Sequence, residues 1–161
     1  MPQQGRLRHR CARVIYEVRA GDIEHGGSAS ARIKADLIQA GICPSVARRA
    51  GIVSFEGEMN LIVYSSDGGT IAVEVGPRAV VIRVEDCGPG IEDIDLAMTP
   101  GYSTAPDWAT DLGFGAGMGL VNMQKNSDRF EIESHVGLGT RIACWIQRRK
   151  DTDRSSQKES E

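Results

Sequence analysis

The order of the predicted secondary-structure elements indicates an α+β fold, a two-layer α/β sandwich in which helices cover one face of a mixed, mostly antiparallel sheet. The chain contains, in order, one strand, two helices, a pair of strands, a loop, a helix and a second pair of strands. Consecutive strand pairs favour antiparallel hairpins, whereas a doubly wound parallel sheet needs strict βαβ alternation. With 161 residues, 40% hydrophobic and 25% charged, the composition fits one globular domain.

The first half of the chain supplies one strand and two helices. Alternating apolar residues predict a strand over 11–18. Ser28 can cap a helix that runs to residue 39 and is ended by Gly41. Pro44 suits the first turn of a second helix, which we expect over 45–65. Helical spacing predicts that this helix turns five apolar residues to the core: Ile52, Phe55, Met59, Ile62 and Val63.

Two hairpins follow in the second half. Alternation predicts strands over 70–75 and 79–86, and again over 128–134 and 140–147. Short glycine-containing turns join the strands of each pair, which is typical of hairpin connections. Both pairs are therefore expected to be antiparallel neighbours in one sheet.

The connection between the two hairpins is longer and more polar. Short helices are expected over 91–98 and 120–125. Between them, residues 99–112 are rich in proline, glycine, serine and threonine, so we predict a mobile loop.

The two ends of the chain differ from its centre. Residues 1–10 are polar and basic, and we interpret them as a loose leader. Residues 148–161 contain no apolar side chain and predict a disordered tail. The folded domain is therefore expected over 11–147.

Charge and cysteine usage exclude several classes of protein. A net charge of −3 leaves no basic footprint for nucleic acid. No apolar run approaches the ~18 residues of a membrane span, and the N-terminus lacks the apolar segment of a secretion signal. The four cysteines form no Cys-x-x-Cys pair, which favours free thiols in a reducing compartment. We therefore expect a cytoplasmic protein with no nucleic-acid or membrane partner.

Two glycine clusters flank the polar loop. One is the turn Asp86-Cys87-Gly88-Pro89-Gly90, and the other places glycine at every second position over 113–119. Glycine fills no space and loses much conformational entropy on folding, so such runs indicate backbone that moves or approaches a ligand closely. Bare amides before a helix attract phosphate. A nucleotide site is the resulting hypothesis, although neither a Walker motif nor a dinucleotide fold matches the pattern.

Polar residues at two further places are candidates for chemistry. Glu56, Asn60 and Tyr64 are spaced i, i+4 and i+8, so they lie along one helical stripe. A glutamate can accept a proton from a hydroxyl, and an asparagine oxygen can bind magnesium. Asp86 ends an alternating apolar strand, where a charge needs a partner. The alternatives are a solvated polar face and a turn aspartate.

Taken in order, these motifs resemble the ATP-binding fold shared by gyrase, histidine kinases, heat-shock chaperones and mismatch-repair ATPases, known as the GHKL or Bergerat fold. The motifs are the polar helix stripe, the strand-end Asp-x-Gly-x-Gly, the Gly-x-Gly-x-Gly-x-Gly run, and Gly-x-Gly-Thr in the last hairpin. The resemblance extends over 12–147. It implies the histidine kinase-like ATPase fold, with ATP and Mg²⁺ as cofactors.

The resemblance also implies a role for each motif. Glu56 matches the general base, Asn60 matches the amide that holds magnesium, and Asp86 matches the aspartate that accepts a hydrogen bond from the adenine amino group. Gly88 and Gly90 match glycines that let the ring lie against the chain. The other matched positions belong to the ATP lid and the last glycine box: Gly113, Gly115, Gly117, Met118, Gly119, Gly137, Gly139 and Thr140. Thr140 as an ordinary strand residue remains open.

Within this family, the chain resembles the anti-sigma-factor serine/threonine kinases and the switch kinases of bacterial stress signalling. Three runs carry this likeness: Glu-Gly-Glu-Met-Asn at 56–60, Gly-Tyr-Ser-Thr-Ala at 101–105 and Gly-Phe-Gly-Ala-Gly-Met-Gly-Leu at 113–120. It implies phosphate transfer to a small regulatory antagonist protein, and contacts with a sigma factor or scaffold; a homodimer is left open. The alternative is an ATP-dependent protein-binding switch with little or no phosphotransfer. Residues 99–112 contain no lysine or arginine, which favours that alternative unless Lys125 substitutes.

Overall fold

The structure is a computed structural model that describes residues 12–148, and this part of the chain contains five strands and five helices. The predicted leader, Cys11 and all of the predicted tail except Arg148 lie outside the described residues. The elements in chain order are β1 (Ala12–Val18), α1 (Ser28–Gln39), α2 (Pro44–Tyr64), β2 (Gly69–Val75), β3 (Ala79–Asp86), α3 (Ile94–Ala97), α4 (Asp107–Asp111), α5 (Gly119–Lys125), β4 (Arg129–His135) and β5 (Gly139–Gln147).

The five strands form one sheet in the order β1-β2-β3-β5-β4, and each of its four pairings is antiparallel. The predicted α+β class is confirmed, and no parallel pair occurs among the described strands. Because β5 lies between β3 and β4 and is antiparallel to both, β3 and β4 run in the same direction. The long connection between them, which contains α3, α4 and α5, therefore returns the chain to the end of the sheet where β3 begins.

Alternation along the strands separates a core face from an open face. Val80, Ile82 and Val84 of β3 are almost fully buried beneath the helices. On the opposite face, Arg83 pairs with Glu74 at 3.5 Å and lies over the Trp145 ring. The period of two that predicted these strands therefore also sorts their side chains between core and solvent.

Helix α2 lies unusually close to β3 because it contains Gly57. A Cβ atom built on Gly57 would lie 2.6 Å from Cγ2 of Val84, which is closer than two carbon atoms can approach. Glycine in mid-helix costs about 1 kcal/mol relative to alanine, so its presence indicates a packing requirement. The close approach brings the polar stripe of α2 to the end of β3.

The core face of α2 was predicted only in part. Met59 and Ile62 are buried as expected, but Phe55 is 40% exposed. Smaller residues occupy the buried stripe, and Val53 and Ala50 are fully buried instead. The prediction for Phe55 was wrong because a large apolar side chain was assumed to face the core.

The segment 99–112, predicted as a mobile loop, contains the short helix α4. Pro106 precedes this helix and Asp107 lies in its first turn, both of which are common at helix starts. Ala109 is its one buried residue. Five residues are too few to show an apolar period, so the helix was missed.

Helix α1 begins at the predicted residue but is capped differently. Gly27 is the N-cap and Ser28 is the first helical residue, with no side-chain cap from either. Instead, the buried carboxylate of Glu58 in α2 accepts hydrogen bonds from the backbone N–H groups of Ala29 at 3.0 Å and Ser30 at 2.9 Å. Glu58 is only 2% exposed, and its carboxylate oxygens are hydrogen-bonded by the first amides of another helix.

No disulfide joins Cys43, Cys87 and Cys144, and burial raises the pKa of the Cys144 thiol to about 11. Among residues 12–148, no helix is long and apolar enough to cross a bilayer.

Arg148 was predicted to begin the tail, but it is hydrogen-bonded to the turn between β2 and β3. Its backbone N–H donates to the carbonyl oxygen of Arg78, and its side chain donates to the carbonyl oxygen of Gly76.

Replacing Glu58 by glutamine tests this cap. The Glu58→Gln variant keeps one acceptor oxygen but turns an NH₂ group toward the second amide of α1. Leaving that buried donor unsatisfied lowers the free energy of unfolding by about 2 kcal/mol. Urea denaturation measures the change, with Glu24→Gln in an exposed loop as the matched control. Equal stability of the two variants would contradict the capping role.

Candidate nucleotide-binding site

A large cavity of about 1280 Å³ opens between α2, the end of β3 and the long connection that follows it. Its volume exceeds that of most small-ligand pockets, which range over about 300–1,000 Å³. Gly88, Gly137 and Gly139 do not line it, whereas the other ten of the thirteen residues with a role implied by the resemblance do. These ten are Glu56, Asn60, Asp86, Gly90, Gly113, Gly115, Gly117, Met118, Gly119 and Thr140.

The polar stripe of α2 forms one wall of this cavity. Glu56, Asn60 and Tyr64 all line it, as their i, i+4 spacing predicted. The Tyr64 hydroxyl lies 3.0 Å from the Ser103 hydroxyl, so the stripe also holds the connection on the opposite side. The stripe therefore faces the cavity.

The Glu56 carboxylate is held by a residue that sequence reasoning missed. Its Oε1 accepts a hydrogen bond from Nδ2 of Asn122 at 2.7 Å. A Cβ atom built on Gly119 would lie 3.4 Å from Oε2 of Glu56 and 3.3 Å from Oδ1 of Asn60. The first turn of α5 thus rests directly on the stripe. Asn122 stands between the buried residues Val121 and Met123, and this polar position was the available signal.

Asp86 lies at the cavity end of β3, where its strand pattern placed it. Its Oδ1 accepts a hydrogen bond from the Gly88 backbone N–H at 2.7 Å. Gly88 is buried behind the carboxylate and does not line the cavity. A Cβ atom there would lie 2.9 Å from that oxygen and 3.2 Å from Cα of Ser65. Gly88 thus helps to hold Asp86 in place, and its contact with a ligand ring stays a prediction.

Close backbone contacts explain two of the other glycines. A Cβ atom on Gly90 would lie 2.3 Å from the carbonyl oxygen of His135, and one on Gly139 would lie 2.1 Å from that of Asp86. Both glycines have positive φ, at 76° and 112°. They let the β4–β5 turn pack against the turn that follows β3, which closes this end of the cavity.

Thr140 belongs to a small hydroxyl network that also contains Ser134. The two side-chain oxygens are 2.8 Å apart, and Ser134 Oγ accepts the backbone N–H of Ile91 at 2.7 Å. Ser134 was not identified from the sequence because it lies in an alternating strand with no motif around it. The network fixes the Thr140 hydroxyl at the cavity wall.

The glycine run of the predicted lid crosses the segment 101–105. The Gly101 N–H donates to the Gly117 carbonyl oxygen at 2.9 Å. A Cβ atom on Gly115 would lie 2.3 Å from that of Ala105. Both Gly115 and Gly117 have positive φ, so side chains are excluded here by both strain and space.

The charges around the cavity are mostly negative. The lining residues include five carboxylates and, within the described part of the chain, no lysine, arginine or histidine. Lys125 ends α5, about 9 Å along the helix axis from Gly119, and is exposed. The suggestion that Lys125 substitutes for a basic lid residue therefore finds no support in its position. His25 pairs with Asp22 at 2.8 Å in an exposed loop and does not line the cavity.

Residues 54–150, more than half of the chain, match the family described as histidine kinase-, DNA gyrase B-, and HSP90-like ATPase. The chain belongs to this ATPase family. The predicted family is thereby confirmed, together with its fold, and ATP is the cofactor that membership implies.

Several curated proteins are similar to this family member. An anti-sigma F factor of Clostridium acetobutylicum is 37% identical over 91 residues, covering 54% of this chain and 60% of the relative. An anti-sigma F factor of Clostridium novyi is 40% identical over 72 residues, or 45% and 47% of the two chains. The serine/threonine-protein kinase RsbT of Bacillus subtilis is 34% identical over 92 residues, or 54% and 63%. The chain spans less than two thirds of these relatives.

The polar groups that line the cavity of this ATPase-family chain suit ATP as a ligand. Asp86 presents a carboxylate that can accept a hydrogen bond from an amino group. Gly90 has no side chain, and a Cβ atom there would overlap the backbone of His135. Asn60 presents an amide oxygen to the same space. No cluster of His, Cys, Asp or Glu among residues 12–148 could hold a metal by itself. A magnesium ion would therefore need phosphate and water oxygens beside Asn60.

An Asp86→Asn variant tests the adenine contact. The new side chain can keep its oxygen toward the Gly88 N–H only by turning an NH₂ group toward the adenine amine, so donor meets donor. We expect ATP affinity to fall about ten-fold or more, since an unsatisfied buried donor costs about 1–3 kcal/mol. Isothermal titration calorimetry measures it. Asp95→Asn removes an equal charge from the cavity lining and serves as control. Equal losses of ATP affinity in the two variants would mean that charge, and not a hydrogen bond to adenine, explains the effect.

Proposed function

We propose that this chain is an ATP-dependent serine/threonine protein kinase that phosphorylates a small regulatory antagonist protein in bacterial partner switching of the anti-sigma or stress type. One observation carries the proposal: a glutamate that can act as a base, an amide oxygen and a strand-end aspartate line the same cavity. The similar proteins are named anti-sigma F factor and serine/threonine-protein kinase, which supports the same reading.

Each residue in the cavity wall has a distinct part in this chemistry. Asp86 accepts a hydrogen bond from the base of the nucleotide and so selects adenine. Asn60 holds Mg²⁺, which when bound neutralises charge on the phosphates. Glu56 accepts the proton of the serine or threonine hydroxyl as that oxygen bonds to the γ-phosphorus, while the bond from this phosphorus to the β–γ bridging oxygen breaks and ADP leaves. The glycine-rich connection over 113–119 covers the phosphates with backbone amides and excludes water.

The partners follow from the same proposal. An antagonist protein provides the hydroxyl, and a sigma factor or a scaffold protein is the second partner between which the chain switches. The names of the similar proteins support a sigma factor, because two of those described are anti-sigma factors.

A protein-binding switch with little phosphotransfer is the second candidate. The observation that favours it is the lining of the cavity, where the described residues include five carboxylates and no basic side chain. Kinases commonly place a positive charge against the transferred phosphate. In this second function, ATP orders the connection over the cavity and thereby forms the partner-binding surface.

Transfer of labelled phosphate separates the two candidates. The chain is incubated with γ-labelled ATP, Mg²⁺ and a candidate antagonist protein. We expect label on the antagonist, and a loss of about 10²-fold or more in rate with Glu56→Ala while ATP affinity is kept. Glu92→Ala, which changes another carboxylate of the cavity lining, is the control. ATP-dependent complex formation without any label would instead support the switch.

Asn60→Ala tests the magnesium role. Removing the amide oxygen should make ATP affinity independent of Mg²⁺, because the remaining ligands would come from the nucleotide and water alone. Calorimetric titrations with Mg²⁺ and with EDTA give the comparison. A wild-type-like response to Mg²⁺ in the variant would place the ion elsewhere.

A further inference from the structure

The contact between Asn122 and Glu56 joins two distant segments of the chain inside the cavity. The distance of 2.7 Å lies at the short end of the range for N–H···O hydrogen bonds. An ionised carboxylate can only accept, so the amide must turn its NH₂ group toward it. Both residues line the cavity. The hydrogen bond therefore occupies one oxygen of the proposed base in the site itself.

The second oxygen of Glu56 is directed by the same helix. Gly119 and Asn122 are three residues apart in α5 and share one face. Oε2 lies beside Gly119, which lines the cavity and has no side chain to cover that oxygen. Among the described residues, no hydrogen bond to Oε2 is present, whereas Oε1 is bound. One carboxylate oxygen is thus anchored and the other is available.

Helix α5 is itself held firmly, so Asn122 is a fixed donor. Val121 and Met123 on either side are buried at 6% and 0% exposure. One turn later, the Asn126 side chain donates to the Asn122 carbonyl oxygen at 2.9 Å, and the Asn126 carbonyl oxygen accepts Nε of Arg49 at 3.2 Å. Arg49 lies in α2, two turns before Glu56. The two helices are therefore tied together both at the cavity and below it.

We propose that Asn122 is a positioning residue for phosphotransfer, holding the Glu56 carboxylate so that Oε2 is aimed at the acceptor hydroxyl. This inference rests on the proposed kinase function. A glutamate side chain has three rotatable bonds, and a base acts only when its oxygen is within hydrogen-bond reach of the proton. The hydrogen bond from Asn122 to Oε1 restricts rotation about these bonds before the acceptor hydroxyl binds.

A double-mutant cycle tests the proposal. Asn122→Leu should lower kcat about ten- to hundred-fold, the loss typical of a misplaced catalytic group, with ATP affinity within about three-fold of wild type. Glu56→Gln removes the base but keeps an acceptor for Asn122. In that background Asn122→Leu should have almost no further effect, because there is no base left to position. Gln124→Leu, on the exposed side of α5, is the control.

Two results of the cycle would overturn the proposal. One is an unchanged kcat in Asn122→Leu. The other is an equal loss in the Glu56→Gln background, which a merely structural role of Asn122 would produce.

A second measurement separates failure of this proposal from failure of the kinase function. If the wild-type chain binds ATP and transfers no phosphate, the kinase function fails. The side-chain amide protons of Asn122 then report on the contact by NMR: we expect a downfield, exchange-protected resonance that moves to a free-amide position in Glu56→Ala. An unmoved resonance would overturn the positioning role whatever the activity.

Discussion

The close approach of α2 to β3 is the constraint on which the rest of the structure depends. Gly57 permits it, because any side chain at that position would overlap Val84. The polar stripe on α2 and the carboxylate at the end of β3 then face one space. A wider gap between helix and sheet would move these groups farther apart.

Two glutamates of α2, Glu56 and Glu58, have different surroundings and different roles. Glu56 and Glu58 are two residues apart on α2 and therefore point in different directions. Glu58 is buried and satisfied by the first amides of α1, which ties that helix to α2. Glu56 faces the cavity and is bound by Asn122 of α5. One short segment of helix thus supplies both a structural anchor and the proposed base.

Much of the fold was predictable because it depends on local patterns. Alternation predicted the strands to within one residue among those described, and helical period predicted α1 and nearly all of α2. The glycine motifs, the spacing of Glu56 and Asn60, and the strand-end Asp86 carried the family resemblance that predicted ten lining residues of the cavity. These features can be recognised in the sequence because each is a periodic pattern or a turn.

The missed features depend on contacts between distant segments. Asn122 meets Glu56 across 66 positions, and Glu58 caps a helix 28 positions earlier. Local spacing does not identify the partner in either pairing, so Ser28 was taken as the cap and Asn122 was not considered. Gly88 was assigned to the ligand because it belongs to a motif of the family, and its hydrogen bond to Asp86 is a contact that the motif alone does not show.

The most direct test of the account is a crystal structure of the chain with Mg²⁺ and a non-hydrolysable ATP analogue. The account predicts the adenine amino group within hydrogen-bond distance of Asp86, the metal on the Asn60 side-chain oxygen, and the γ-phosphate on the Glu56 side of the cavity. An analogue bound with its base away from Asp86, or a metal without Asn60 as a ligand, would contradict it.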